Sequence, residues 1–129
     1  MILRYLYRLD RLHAAYSNKT ERGYTLELIS ENYSWDENSV DVNDVSPHYV
    51  QYGQNSSREL REHLLLDSFE YLKQGTDWEH AIEISNKLVH LYRDVMPNYE
   101  RLSEILDDAD WYFAWDGQEH HSAPVFAST

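Results

Sequence analysis

The 129-residue chain has no cysteine, which excludes disulfides, iron–sulfur clusters and thiolate metal sites. Glycine and proline are scarce, at four and three residues. No apolar run approaches the roughly 20 residues of a membrane-spanning helix, so stable membrane insertion is not expected. The opening stretch, MILRYLYRLDRLH, interleaves charges with its apolar residues and does not read as a signal peptide. These absences are compatible with a cytoplasmic protein. Positive charge is also short. Eleven Lys and Arg face 23 Asp and Glu, for a net charge of −12. A surface of that sign repels phosphate backbones, so nucleic acid is not an expected partner.

What is present is a helical composition rich in large amphipathic side chains, with eleven Tyr and four Trp. Such residues bury much apolar area while their polar ends still need partners. The length suits one domain. Charge is unevenly placed. Residues 1–35 carry five basic against four acidic side chains, and the rest carry six against nineteen.

Apolar spacing predicts an all-α fold, an antiparallel array of about five helices with the look of helical-repeat units. The first helix spans about 2–17, with Ile2, Tyr5, Leu6, Leu9, Leu12, Ala15 and Tyr16 as its inward stripe. A second, about 21–34, sets Tyr24, Leu28, Glu31 and Trp35 on one face. Leu26, Ile29 and Tyr33 lie alongside. Residues 36–55 lack a helical comb and read as a loop. Ser56 and Glu59 form a capping box that starts a third helix, about 57–74, with Leu60, Leu64, Phe69 and Leu72 inward. Gly75 suits the left-handed position after it. Thr76 and Glu79 form a second capping box, opening a fourth helix over about 77–95. Its apolar set is Trp78, Ala81, Ile82, Ile84, Leu88, Leu91, Tyr92 and Val95. Met96-Pro97 stops it. Asn98 caps a fifth helix, about 98–114, in which Tyr99, Leu102, Ile105, Leu106, Ala109 and Phe113 pack inward. The division is a helical lobe, 1–115, and a disordered tail, 116–129.

No pattern supports catalysis. The chain lacks a nucleophile elbow, a phosphate loop and a dinucleotide fingerprint. His80 and His90 are ten residues apart, not the four of a helical zinc pair, and His120 and His121 sit in the tail. Asp107, Asp108 and Asp110 lie within an amphipathic helix rather than a calcium loop. No metal and no cofactor is therefore expected. Trp78, Tyr92, Tyr99, Trp111 and Phe113 follow helical spacing and read as packing residues, as do Gly75, Thr76, Glu79, Ala81 and Leu102 at the joint and on the last helix.

Four stretches carry a resemblance: RYLYRLDRLH at 4–13, YTLELISENYSW at 24–35, YLKQGTDWEHAIEISNKLVHLY at 71–92 and NYERLSEIL at 98–106. Together they resemble the DOCK family of guanine-nucleotide exchange factors, at the start of the DOCKER region. The resemblance covers about residues 2–113 and is most specific at Gly75, Trp78, Glu79 and Ala81. It implies the first, helical lobe of a three-lobe region whose other lobes bind a Rho-family GTPase and expel its nucleotide. The wording is most like the branch associated with ELMO adaptors and Rac. After Phe113 the chain reads AWDGQEHHSAPVFAST and departs from the family. The nucleotide-displacing loop has no counterpart, and no catalytic residue carries over. The resemblance therefore implies a truncated, non-catalytic fragment of an exchange factor. Its partners would be the rest of the DOCKER region, the GTPase through the complete region, and ELMO in the full-length protein. The faces that the missing chain would cover are expected on the third to fifth helices. The competing reading is a freestanding acidic helical-repeat module that holds a basic protein.

Overall fold

The computed structural model describes the backbone of residues 2–116 and the side chains of residues 2–108. It is all-helical, with no strand among the described residues. The helices are α1 (Ile2–Ala15), α2 (Lys19–Ser30), α3 (Val50–Asn55), α4 (Ser57–Gln74), α5 (Trp78–His90) and α6 (Tyr99–Asp116). Two 3-10 turns, Val42–Asp44 and Pro47–Tyr49, precede α3, and a π turn, Leu91–Val95, extends α5. Two compact units result, one ending at Asp77 and one beginning at Trp78. The expected tail lies outside the described residues, except for Asp116, which closes α6.

In the first unit, α2 packs on both α1 and α4. Its core gathers Leu6, Tyr7, Leu26, Ile29, Tyr33, Val45, Tyr49, Leu60 and Leu64. Two expected faces are corrected here. On α1 the buried residues are Leu6, Tyr7 and Asp10, while Ile2, Tyr5, Leu12 and Tyr16 are exposed. On α2 the inward face is Gly23, Thr25, Leu26, Ile29 and Ser30, and Tyr24 and Leu28 face solvent. Close approach explains the α2 face. A Cβ on Gly23 would lie 2.6 Å from Leu72 Cγ and 3.2 Å from the Ser68 carbonyl oxygen. The Ser68 hydroxyl in turn donates to the Gly23 carbonyl at 2.7 Å. Small residues let the α2 and α4 backbones meet, so the buried face is not the most hydrophobic one.

Residues 36–55 are a second correction, for they are built into the unit rather than looping away from it. The first amides of a helix have no partner within it. At α4, Ser57 N–H donates to the Asn38 carbonyl at 2.8 Å and Arg58 N–H to the Asp36 carbonyl at 2.9 Å. Glu59 N–H donates to Ser56 Oγ at 3.0 Å. Ser56 thus caps α4 as its sequence position requires. Its own N–H goes to the Tyr52 carbonyl at 3.0 Å, so the reciprocal half of the capping box with Glu59 is replaced. The same segment buries Val45, Tyr49 and Gly53.

The end of α4 is a Schellman motif. Asp77 N–H reaches back to the Leu72 carbonyl at 3.0 Å, and Thr76 N–H to the Lys73 carbonyl at 3.0 Å. Thr76, not Gly75, takes the left-handed conformation, with φ 61°, while Gly75 has φ −82°. The Thr76 hydroxyl donates to the Gly75 carbonyl at 2.7 Å. Thr76 therefore closes α4 and does not form the expected capping box with Glu79. The end of α1 repeats the pattern, with Ser17 at φ 57° and Asn18 N–H on the His13 carbonyl at 2.9 Å.

In the second unit α5 packs on α6. Ala81, Ile84, Leu88, Val89, Leu91, Tyr92 and Ile105 are buried. Pro97 cannot donate a backbone hydrogen bond. The chain ahead of it widens into the π turn, and Met96 N–H meets the Leu91 carbonyl at 2.7 Å. Asn98 Oδ1 then accepts from Arg101 N–H at 3.1 Å, capping α6.

Candidate functional site

The polar side chains of the first unit converge on a buried network rather than a pocket. On α1, Asp10 lies three and four residues after Tyr7 and Leu6, so helical geometry carries it onto the same inward face. Its carboxylate accepts from Arg22 Nε at 2.8 Å and is almost wholly enclosed. The Arg22 guanidinium also lies 4.3 Å from the centroid of the Tyr71 ring. Burial lifts the Asp10 carboxyl above its ordinary value, against the opposing hydrogen bond and charge of Arg22. For Arg22, burial acts downward, but the hydrogen bond and charge of Asp10 prevail and raise it.

Beside this pair, the hydroxyls of Tyr7 and Tyr33 are 3.0 Å apart in the core. Tyr49 packs its ring 6.5 Å from that of Tyr7 and donates its hydroxyl to Asp67. Burial pushes the Tyr7 phenol far above the usual tyrosine range, reinforced by its hydrogen bond to Tyr33. Burial likewise raises Tyr49, with the Asp67 charge adding to it. A phenol held so high is no proton carrier near neutrality. These hydrogen bonds tie α1 to α2 and the turn after it, and the 3-10 segment to α4, while the Tyr7–Tyr49 ring contact joins the two sets.

The residues singled out in the sequence fall into separate places. Gly75 and Thr76 form the turn after α4. Trp78 begins α5 and is half-buried, Glu79 is exposed, and Ala81 and Tyr92 are buried. On α6, Leu102 is half-buried, while Tyr99 is 79% exposed rather than packed inward. The side chains of Trp111, Phe113, Ala109 and Asp110 lie outside the described residues, as do His120 and His121. No group of three or more His, Asp or Glu placed to hold a metal occurs among the described residues. His80 faces Glu83 at 3.1 Å and His90 faces Asp94 at 3.0 Å, each on its own helical turn. No described helix is long and apolar enough to cross a membrane.

One surface is rich in exposed apolar side chains. Ile2, Tyr5 and Leu12 of α1 and Tyr16 just after it follow at steps of three, seven and four and are each more than half exposed. Among the described side chains, the large exposed apolar residues are these four, Tyr24 and Leu28 of α2, and Tyr99. Among the described side chains, most of the large exposed apolar residues thus belong to the first two helices and the turn between them, with Tyr99 on α6.

The residues missed by sequence reasoning are Tyr7, Asp10, Arg22, Tyr49 and Asp67, and Tyr33 reads there only as a packing residue. Only Asp10 left a usable signal, as an acid spaced onto the face of Leu6 and Tyr7.

No protein-family model matches the chain. It is similar to dedicator of cytokinesis protein 4 of Homo sapiens, at 28% identity over 105 residues. It is also similar to dedicator of cytokinesis protein 3 of Mus musculus, at 26% identity over 105 residues. Each match takes in 81% of this chain and 5% of the relative's length. The chain is thus similar to a short part of two dedicator-of-cytokinesis proteins.

Proposed function

We propose that the chain is a helical, non-catalytic part of a DOCK-type exchange factor for a Rho-family GTPase, with Rac as its target, acting in small-GTPase signalling and cytoskeletal regulation. The similarity over 105 residues to two dedicator-of-cytokinesis proteins carries this reading. The all-helical fold agrees with a supporting first lobe of the DOCKER region. Its role there is to brace the parts that engage the GTPase. Contact with ELMO would belong to the full-length protein.

The test is nucleotide release from Rac loaded with a fluorescent guanine nucleotide. The purified chain should leave the intrinsic rate unchanged at any concentration. Acceleration above that rate would refute the non-catalytic assignment. A chimaera in which residues 2–108 replace the matching part of a dedicator-of-cytokinesis protein should retain exchange. Loss of exchange in a folded chimaera would count against the supporting role.

The outward stripe of α1 favours a second reading, a freestanding interaction module. In that case a protein partner should be captured by the wild-type chain and lost in a Tyr5→Ser, Leu12→Ser variant, with no other lobe present. Capture indifferent to both changes would dismiss this stripe as the binding face.

A further inference from the structure

Arg4, Arg8 and Arg11 follow one another on α1 at steps of four and three, which stacks them along one side of the helix. With Tyr7 they form one wall of a cleft of about 330 Å³. The facing wall is Asn43, Asp44, Val45, Ser46 and Pro47. The charges of this cleft run against those of the chain. Only one carboxylate lines it, Asp44, and that is paired with Arg4 Nε at 3.0 Å. Asp10, the acid nearest Arg11 in sequence, is turned inward to Arg22. Neither Arg8 nor Arg11 has an ion-pair partner among the described residues. Like charges on adjacent helical turns oppose helix formation. The chain nonetheless places three there, in a molecule of net charge −12.

From this geometry we infer that the cleft between α1 and residues 43–47 is a binding site for a phosphoryl group. Three guanidinium groups and one carboxylate leave a local charge of about +2, and a phosphate monoester carries about −1.5 to −2 at pH 7. Guanidinium forks match phosphate oxygens in pairs, which favours arginine over lysine at such sites. Asn43 and Ser46 offer neutral donors on the opposite wall, whereas the Tyr7 hydroxyl is engaged with Tyr33. The volume is at the lower end of that typical of small-molecule sites, so it admits a phosphate with a small attached group. The general acidity of the chain does not forbid this, because salt screens distant charges beyond about 8 Å at physiological ionic strength. A lipid headgroup and a soluble phosphate ester share this chemistry.

The test titrates the full chain with glycerol 3-phosphate, following arginine Nε–H signals by NMR. A parallel arm uses co-sedimentation with phosphatidylcholine vesicles with and without phosphatidic acid. Arg8 and Arg11 signals should shift and saturate, or the chain should sediment only with the phosphatidic acid vesicles. The responding arm identifies the source. An R8Q/R11Q variant should keep the wild-type circular dichroism spectrum and bind about tenfold or more weakly, the loss expected for two charge-assisted contacts. R93Q/R101Q, an equal change of charge elsewhere, should bind as wild type. Absence of saturable binding in both arms, or equal losses in R8Q/R11Q and R93Q/R101Q, would overturn the assignment.

Discussion

Gly75 stands against Thr20. A Cβ on Gly75 would lie 2.2 Å from Thr20 Oγ1, 2.9 Å from its backbone nitrogen and 3.2 Å from its Cα. The Gly75 backbone, at φ −82°, would suit any residue. Space, not backbone conformation, therefore demands glycine. The Thr20 hydroxyl also donates to the Gly75 carbonyl at 3.3 Å, so the start of α2 and the end of α4 are tied at this point.

Gly75→Ala should therefore destabilise the chain by about 1–3 kcal/mol, as overpacking does. Adding Thr20→Ala should recover only part of the loss, because the backbone nitrogen of residue 20 stays in the way. Urea denaturation of the two single variants and the double variant checks this. Full recovery would place the conflict on the hydroxyl alone.

Thr76 presents the converse case. It is a β-branched residue at φ 61°, in the position of the Schellman motif that glycine usually holds. The left-handed conformation costs a non-glycine residue about 1–2 kcal/mol, and glycine's greater freedom in the unfolded chain returns about 0.4–1 kcal/mol of that. Thr76→Gly should thus stabilise the chain by a net of about 0.5–1 kcal/mol. A lower melting temperature for the glycine variant would show that the Thr76 hydroxyl bond to the Gly75 carbonyl outweighs the strain.

These two neighbours show what could be read in the sequence. The break after Gln74, the new helix beyond it, the caps at Ser56 and Asn98 and the stop at Pro97 all follow from local chemistry, and each lies where the residues put it. Which of Gly75 and Thr76 would be left-handed did not follow, because the deciding contact comes from Thr20, 55 residues away in the chain. The same holds for Gly23 and Ser68 on the α2–α4 contact, and for residues 36–55, whose carbonyls serve the amides of α4. Hydropathy spacing identified the five long helices but missed α3 and misassigned the faces of α1 and α2. It weighs side chains one at a time, whereas the fold buries the Asp10–Arg22 pair and small residues for the sake of close contact.

The Asp10–Arg22 pair is costly to break. Removing one partner of a buried pair leaves the other uncompensated, which typically costs about 3–5 kcal/mol. Arg22 keeps some access to water, so Asp10→Ala should fall at the lower end, about 3 kcal/mol. Replacing both partners by Asp10→Leu and Arg22→Met should recover much of that. A double variant as unstable as Asp10→Ala would mean that the pair itself, with its contact to Tyr71, is indispensable.

The pH dependence of this pair should run against that of a surface ion pair. Burial raises the folded-state value of Asp10 above its unfolded value. The folded state therefore binds the proton more readily, and stability from this group is fully present below the unfolded value. It is lost as pH rises through the folded value. Relative to Asp10→Asn, the wild type should gain stability as pH falls from neutrality into the carboxylate range. Denaturation midpoints of the two proteins at a series of pH values check the sign. A wild type that loses stability relative to the variant on acidification would show that Arg22 prevails over burial.

The outward stripe of α1 calls for the last test, because the spacing of Ile2, Tyr5, Leu9, Leu12 and Tyr16 would place all five in a core by hydropathy alone. The fold instead turns Leu6, Tyr7 and Asp10 to α2 and the 3-10 segment, and leaves Leu12 53% and Tyr16 71% exposed. Leu6→Ala should cost about 2–5 kcal/mol, as truncation of a packed leucine does. Leu12→Ser and Tyr16→Ser should each stay within about 0.5 kcal/mol of wild type, as surface changes usually do. Chemical denaturation of the three variants at low protein concentration measures the contrast. A loss of about 2 kcal/mol or more at Leu12 would show that the stripe is covered in solution, since hydrophobic truncation is costly only where the side chain leaves water. Near-neutral values at Leu12 and Tyr16 beside a large loss at Leu6 would establish that the apolar face of α1 is free to bind a partner, and that its hydrophobicity does not serve the stability of the chain.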